Sequence, residues 1–177
     1  MRPSSRTEIV DAALRVVDVE GDVDITYDSV AREAGLSKAG LMYHFPTKEA
    51  LMVAVMEHVV GRWQDELLAT LGKPLEESTL PERVRSFVRF AGEGGVTQGE
   101  FIVFAEAVRR PALSAPWLGY LRTWFGFDQD GSDVLLLVWL AANGMWIAEA
   151  TGIVTISDAQ RSGLITLLDG LIDGTTK

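Results

Sequence analysis

The chain has 177 residues, 47% of them hydrophobic, with 16 Lys and Arg against 25 Asp and Glu for a formal net charge of −9. That length fits one compact domain or a small module fused to a larger one, and the composition excludes both a disordered chain and a uniformly basic nucleic-acid coat. The absence of cysteine excludes disulfides and thiolate metal sites.

The opening "MRPSSRTEIV" lacks the apolar stretch of a signal peptide. The longest apolar run, Val134 to Ala142 continued by Met145 to Ala148, is flanked by Asp133 and Glu149 and reads as too short to span a bilayer. A cytoplasmic protein without a membrane partner is expected.

Ile9, Ala12, Ala13, Val16 and Val17 recur at helical spacing and predict a first helix that ends near Gly21. Thr26 can accept a hydrogen bond from a free first-turn amide and Asp28 suits the positive helix end, so a short helix is expected from Tyr27 to Ala34. Gly35 supplies the left-handed backbone that stops it, Leu36 packs back on the core, and Ser37 caps a second short helix over about Lys38 to Phe45. Pro46 ends that helix, and Thr47 caps a long one whose Leu51, Val55, Val59, Trp63 and Leu67 share a face until Gly72 and Pro74. Two short helices around a tight glycine turn, braced by flanking helices, make a helix-turn-helix.

"GKPLEESTLP" is the best candidate joint between an N-terminal module and the rest. Beyond it, helices are expected at about 81–93, 97–109, 114–126, 132–151 and 157–173, and the only alternating stretch is the short "GDVDIT". The predicted fold class is all-α.

The stretch "TYDSVAREAGLSKAGLMYHFPTKEALMVAV", Thr26 to Val55, carries A-R-E-A-G-L-S, then G-L-M-Y-H-F, then K-E-A-L. It resembles the DNA-binding domain of TetR-type transcriptional repressors. The resemblance implies a three-helix DNA-binding domain over 1–48 and a ligand-binding and dimerisation domain over 49–177. It further implies a homodimer that binds double-stranded DNA at an operator and releases it on meeting a small-molecule inducer. The short length and Trp-rich C-terminal part are most similar to repressors of multidrug efflux genes.

A recognition helix enters the major groove by its N-terminal residues. Lys38, Ala39 and Leu41 are therefore the candidates for base edges, and Gly40 would let backbone approach DNA; Leu41 serves either thymine methyls or the core. Tyr43, His44 and Lys48 fall where the resembling family contacts phosphate, and Thr26 and Ser37 would do so through hydroxyls and helix N-terminal amides. Residues 1–48 carry six Lys and Arg against eight Asp and Glu, but residues 36–48 carry two positives and no acid. That acid-free stretch is expected to be the face that meets phosphate. Arg2 and Arg6 form either a minor-groove arm or, by default, a disordered start.

Four of five tryptophans, Trp117, Trp124, Trp139 and Trp146, lie in the C-terminal part, beyond residue 116. Trp63, Leu67, Phe87, Phe104, Trp117 and Trp146 are candidates for the wall of an inducer pocket. If Glu106 or Glu149 also turns inward, in place of the solvated position that is their default, the site suits a flat cationic hydrophobe. The helix at 132–151 is apolar nearly all round and needs cover from a partner chain as well as from its own core, with the helix at 157–173 beside it across a two-fold axis.

His44 and His58 are the only histidines, with no carboxylate at metal-ligand spacing, and no nucleophile signature is present. No metal, cofactor or catalytic residue is expected. Two rivals remain open at this point: a protein-binding helical dimer without DNA affinity, and a helical enzyme using Tyr43 or His44.

Overall fold

The computed structural model describes residues 5–21, 23–93, 96–107, 109–127 and 133–175. Among these the secondary structure is helical, with no strand, as the periodicities predict. In chain order the helices are α1 (Ser5–Glu20), α2 (Tyr27–Glu33), α3 (Lys38–His44), α4 (Lys48–Leu71), α5 (Leu80–Glu93), α6 (Gln98–Ala107), α7 (Pro111–Trp124), α8 (Asp133–Ala150) and α9 (Asp158–Gly174). A single 3-10 turn, Leu75–Glu77, interrupts the segment between α4 and α5.

The chain divides into two compact units, one of residues 1–61 with 96–118 and the other of 62–95 with 119–177. The division falls inside α4 and α7, and α6, which packs on α1, belongs with the N-terminal helices. Gly99 marks that packing: its amide donates to the Asp18 carboxylate, and an added Cβ would lie 2.6 Å from the same carboxylate. "GKPLEESTLP", expected as a joint, lies within the second unit. Lys73 pairs there with Glu82 at 2.6 Å, and Arg83 holds Ser78 and the carbonyl that ends α7 at Trp124.

The first unit is built on Ile9, Ala13, Val17, Val30, Leu41, Phe45, Leu51, Val55 and Val59, all at most 2% exposed. The second unit joins α5, α8 and α9, with Val84, Val88, Val138, Ala142 and Ile172 fully buried. Arg85 ties α9 to α5 through Asp169 and Asp173, and Arg161 ties it to Glu149 of α8 and to the Gly92 carbonyl. As a continuous helix α8 reaches 18 residues and is, by length and composition alone, long and apolar enough to cross a membrane. That corrects the reading of its apolar run as too short. Leu135, Val138, Ala142, Met145 and Trp146 are nevertheless buried within the unit.

Candidate nucleic-acid interface

The turn between α2 and α3 is built by local rules. The Thr26 hydroxyl accepts from the Ser29 amide at 3.0 Å and Ser29 Oγ accepts from the Thr26 amide at 3.1 Å, a reciprocal cap that fixes where α2 starts. At its other end Gly35 sits at φ 67°, with its amide on the Arg32 carbonyl and the Leu36 amide on the Ala31 carbonyl. This paired closure needs a left-handed residue, which only glycine adopts without strain. Leu36, expected on the core, is 38% exposed, since the closure turns it outward.

Ser37 caps α3 by accepting from the Gly40 amide at 3.1 Å. A Cβ on Gly40 would sit 3.3 Å from Ser37 Oγ, so this glycine leaves room for the cap. Three contacts seat the far end of α3. The Tyr27 hydroxyl donates to the Phe45 carbonyl at 2.7 Å, the Arg6 guanidinium lies 4.3 Å over the Phe45 ring, and Arg6 donates to the His44 carbonyl at 3.4 Å. Burial raises the Tyr27 hydroxyl above its ordinary pKa, which keeps it a donor. Arg6 is thus an anchor of α3 and not part of a disordered start; Arg2 lies outside the described residues. The anchoring roles of Tyr27 and Arg6 were not legible in the sequence, because each acts on a residue far along the chain.

The outer side of α3 exposes Lys38, Ala39, Met42 and Tyr43, the last 84% exposed. Leu41 is fully buried, so of the two roles left open for it the structure shows the core one, and it cannot reach a base edge. Met42, 44% exposed, takes its place on the outer side. His44 is half-buried with its ring edge-on to Tyr43 at 5.4 Å, and Thr47 caps α4 by accepting from the Ala50 amide at 3.1 Å.

The acid-free stretch does not stay acid-free in three dimensions. Lys38 Nζ lies 2.8 Å from Asp28 and Lys48 Nζ 2.5 Å from Asp24, both acids coming from ahead of the stretch. The Lys48 hydrogen bond, then its charge, holds the Asp24 carboxyl below the ordinary carboxylate range.

The expected ligand-binding residues separate between the two units. Trp63, Leu67, Phe87 and Trp146 are in the second, each at most 5% exposed, with the Trp63 and Trp146 rings edge-on at 5.6 Å. Phe104 and Trp117 are in the first, edge-on at 4.9 Å. Both acids are paired with arginines. Glu106 accepts from Arg110 at 2.7 Å and from Arg109 at 3.4 Å, and Glu149 takes both arms of the Arg161 guanidinium. A cavity of about 240 Å³ in the second unit is lined by Leu121, Arg122, Phe125, Gly126, Phe127 and Trp139. Trp139 stacks on Phe87 at 5.7 Å, which puts this cavity beside the Trp63 cluster. The sequence signal for it is the "FGF" of 125–127 followed by Trp139, of which only Trp139 is among the tryptophans considered for a pocket.

Known proteins share this construction. Residues 9–55 match the family model described as "Bacterial regulatory proteins, tetR family", and residues 81–173 match "Tetracyclin repressor-like, C-terminal domain". A relative in Rhizobium meliloti, the HTH-type transcriptional regulator BetI, is 27% identical over 176 residues, 97% of this chain and 77% of that one. The multidrug binding protein EbrR, solved with imidazole, superposes with a TM-score of 0.65 at 25% identity over 96% of each chain. A transcriptional regulator from Saccharomonospora viridis, solved with choline, shows the same fold with a TM-score of 0.70 at 20% identity over 95% of each. These families and relatives are regulators and not enzymes. With both halves matched and a seated helix-turn-helix where the first match lies, the chain belongs to the TetR family of bacterial transcriptional regulators.

Proposed function

We propose that the protein is a ligand-responsive repressor that acts in the cytoplasm, binding a near-palindromic DNA operator as a homodimer and releasing it when a small hydrophobic molecule binds. The observation that carries the reading is the outer side of α3: Lys38, Ala39, Met42 and Tyr43 are exposed on a helix anchored at both ends, which suits insertion into a major groove. Lys38 and Ala39 then meet base edges. Tyr43, His44 and Lys48 serve phosphates, with Thr26, Ser37 and Gly40 at the two helix starts holding the backbone amides that approach the DNA. In a dimer the two recognition helices stand roughly 34–36 Å apart, or a multiple of it, to reach grooves on one side of the duplex.

Dimerisation through α8 and α9 is supported by their outward residues. Leu137, Leu140 and Leu167 are 57%, 53% and 61% exposed, and Val134, Ile147 and Leu171 are also exposed, a concentration of apolar surface that needs a cover. A second copy meeting it about a two-fold axis buries like against like.

For the inducer, the aromatic cluster of Trp63, Phe87 and Trp146 and the adjoining cavity at Phe125 and Trp139 favour a flat hydrophobic molecule. Any positive charge on it falls to ring faces, because Glu106 and Glu149 already serve arginines. EbrR, described as a multidrug binding protein, supports a ligand of this class. Release follows if the ligand prefers the dimer spacing that does not fit the operator.

The test is fluorescence anisotropy of labelled duplexes: the region upstream of the protein's own gene, a duplex enriched from a random pool, and a scrambled control. Selective, salt-sensitive binding is the expected result, and an ethidium-like dye should both quench Trp fluorescence saturably and release the duplex. Failure to enrich any duplex would leave the protein-binding dimer as the better reading.

A further inference from the structure

We propose that Asp24 and Asp28 set the strength of DNA binding by competing with phosphate for Lys48 and Lys38. The inference rests on the DNA-binding reading above and concerns residues which that reading leaves unused.

The lysines of α3 and of the first turn of α4 are two cations a phosphate would find on this side of the first unit, and the charge of Arg110 also reaches Asp24. Each already has a carboxylate within hydrogen-bond distance, Lys38 with Asp28 at 2.8 Å and Lys48 with Asp24 at 2.5 Å. Both acids are well exposed, their side chains 70% and 80% accessible, so neither is held there by burial. The hydrogen-bonded caps do not use either acid, since the α2 cap is made by Thr26 and Ser29 and the α3 cap by Ser37, although Asp28 stands in the first turn of α2. An ammonium is a compact charge with three donors and exchanges an exposed carboxylate for a phosphate readily. Once exchanged, the carboxylate remains within a Debye length, about 8–10 Å, of the arriving phosphate and repels it. Each acid therefore opposes DNA twice, by holding the lysine and by its own charge. The predicted consequence is a low affinity for any sequence and a shallow salt dependence, because fewer phosphates are effectively neutralised.

The experiment uses the full chain with D24N, D28N, K48A and the D24N/K48A double variant. Affinity is measured for the enriched duplex and the scrambled duplex across a range of salt. Asparagine keeps the shape and removes the charge, so D24N and D28N should each tighten binding to both duplexes, by about threefold per subunit and so roughly tenfold per dimer. The salt dependence should steepen, by about one to two in log–log slope. In the K48A background the gain from D24N should fall to less than half, the mark of an acid acting through its lysine. Asp24 precedes the Thr26 cap and lies outside any helix, so D24N carries the test even if D28N loosens α2.

Four results overturn the proposal. Unchanged affinity and slope in D24N, with selective binding by the wild type, would sink it while leaving the DNA-binding reading intact. Weaker binding in D24N would make Asp24 a group that orients Lys48 for DNA. An equal gain with and without Lys48 would make it a general charge. If the wild type enriches no duplex, both readings fall together.

Discussion

Leu41 and Tyr43 stand two residues apart on one short helix and have opposite fates, 0% and 84% exposed. Leu41→Ala should destabilise the fold by about 2–5 kcal/mol, the cost of a cavity in a closed core, measured by chemical denaturation. Tyr43→Ala should stay within about 0.5 kcal/mol of wild type in the same measurement while weakening operator binding. Lys48→Ala is expected to weaken binding to all sequences alike, whereas Lys38→Ala should also relax base preference; equal losses on operator and scrambled DNA for the latter would argue against its place at a base edge. Glu82 supplies a pH signature. Its carboxyl is brought from an ordinary 4.5 to about 2, first by the Lys73 hydrogen bond and then by the Thr79 amide and hydroxyl. Because the folded value lies below the unfolded one, its stabilising effect is present above about 4.5 and is lost as the pH falls toward 2. NMR titration should find Glu82 near 2, and Lys73→Ala should move it up toward the ordinary value.

At the scale of elements, the sequence rules that worked were those acting within a turn or two of helix. Caps at Thr26, Ser37 and Thr47, glycine stops at 21, 35 and 72, and apolar periodicity place the described helices within a few residues of their expected bounds, and the structure adds a cap at Ser157. What these rules do not contain is which helices meet. The start of α6 packs on α1, with the Gly99 amide on Asp18, so α6 joins the unit that holds the helix-turn-helix. A Cβ at residue 99 would also meet the Asp18 backbone nitrogen at 3.0 Å, which cannot swing aside as a side chain does. Gly99→Ala should therefore cost about 1–3 kcal/mol by overpacking, read from denaturation, with helix content unchanged in circular dichroism. An unchanged midpoint would mean that α6 can shift freely on α1.

For the whole molecule, the surface of α8 and α9 is the feature a monomer leaves unexplained. Leu137, Leu140 and Leu167 are outward on helices whose other residues, Val138, Ala142, Leu168 and Ile172, fill the second unit. Leu140→Glu adds a charge at an exposed position, so the protomer should still fold. Sedimentation velocity should then show a monomer where the wild type sediments as a dimer, with operator affinity falling alongside. A dimer that survives this change would place the two-fold contact elsewhere.

The sequence by itself determined the helices, their caps, the glycine turn and the family motif, because each is settled by backbone geometry and side chains a few positions apart. It left Leu41 open between base and core, and it left charge as a count along a window. Only the tertiary structure decided that Leu41 goes inward and Met42 outward, since that depends on how α3 is rotated against the other helices of its unit. It also decided that Asp24 and Asp28 reach the lysines of the acid-free stretch, and that Arg110 and Arg161 take the carboxylates once offered to a ligand. The physical reason is common to all of these: an ion pair or a buried face is set by distance in space, and the helix packing that sets those distances depends on residues far apart in the chain.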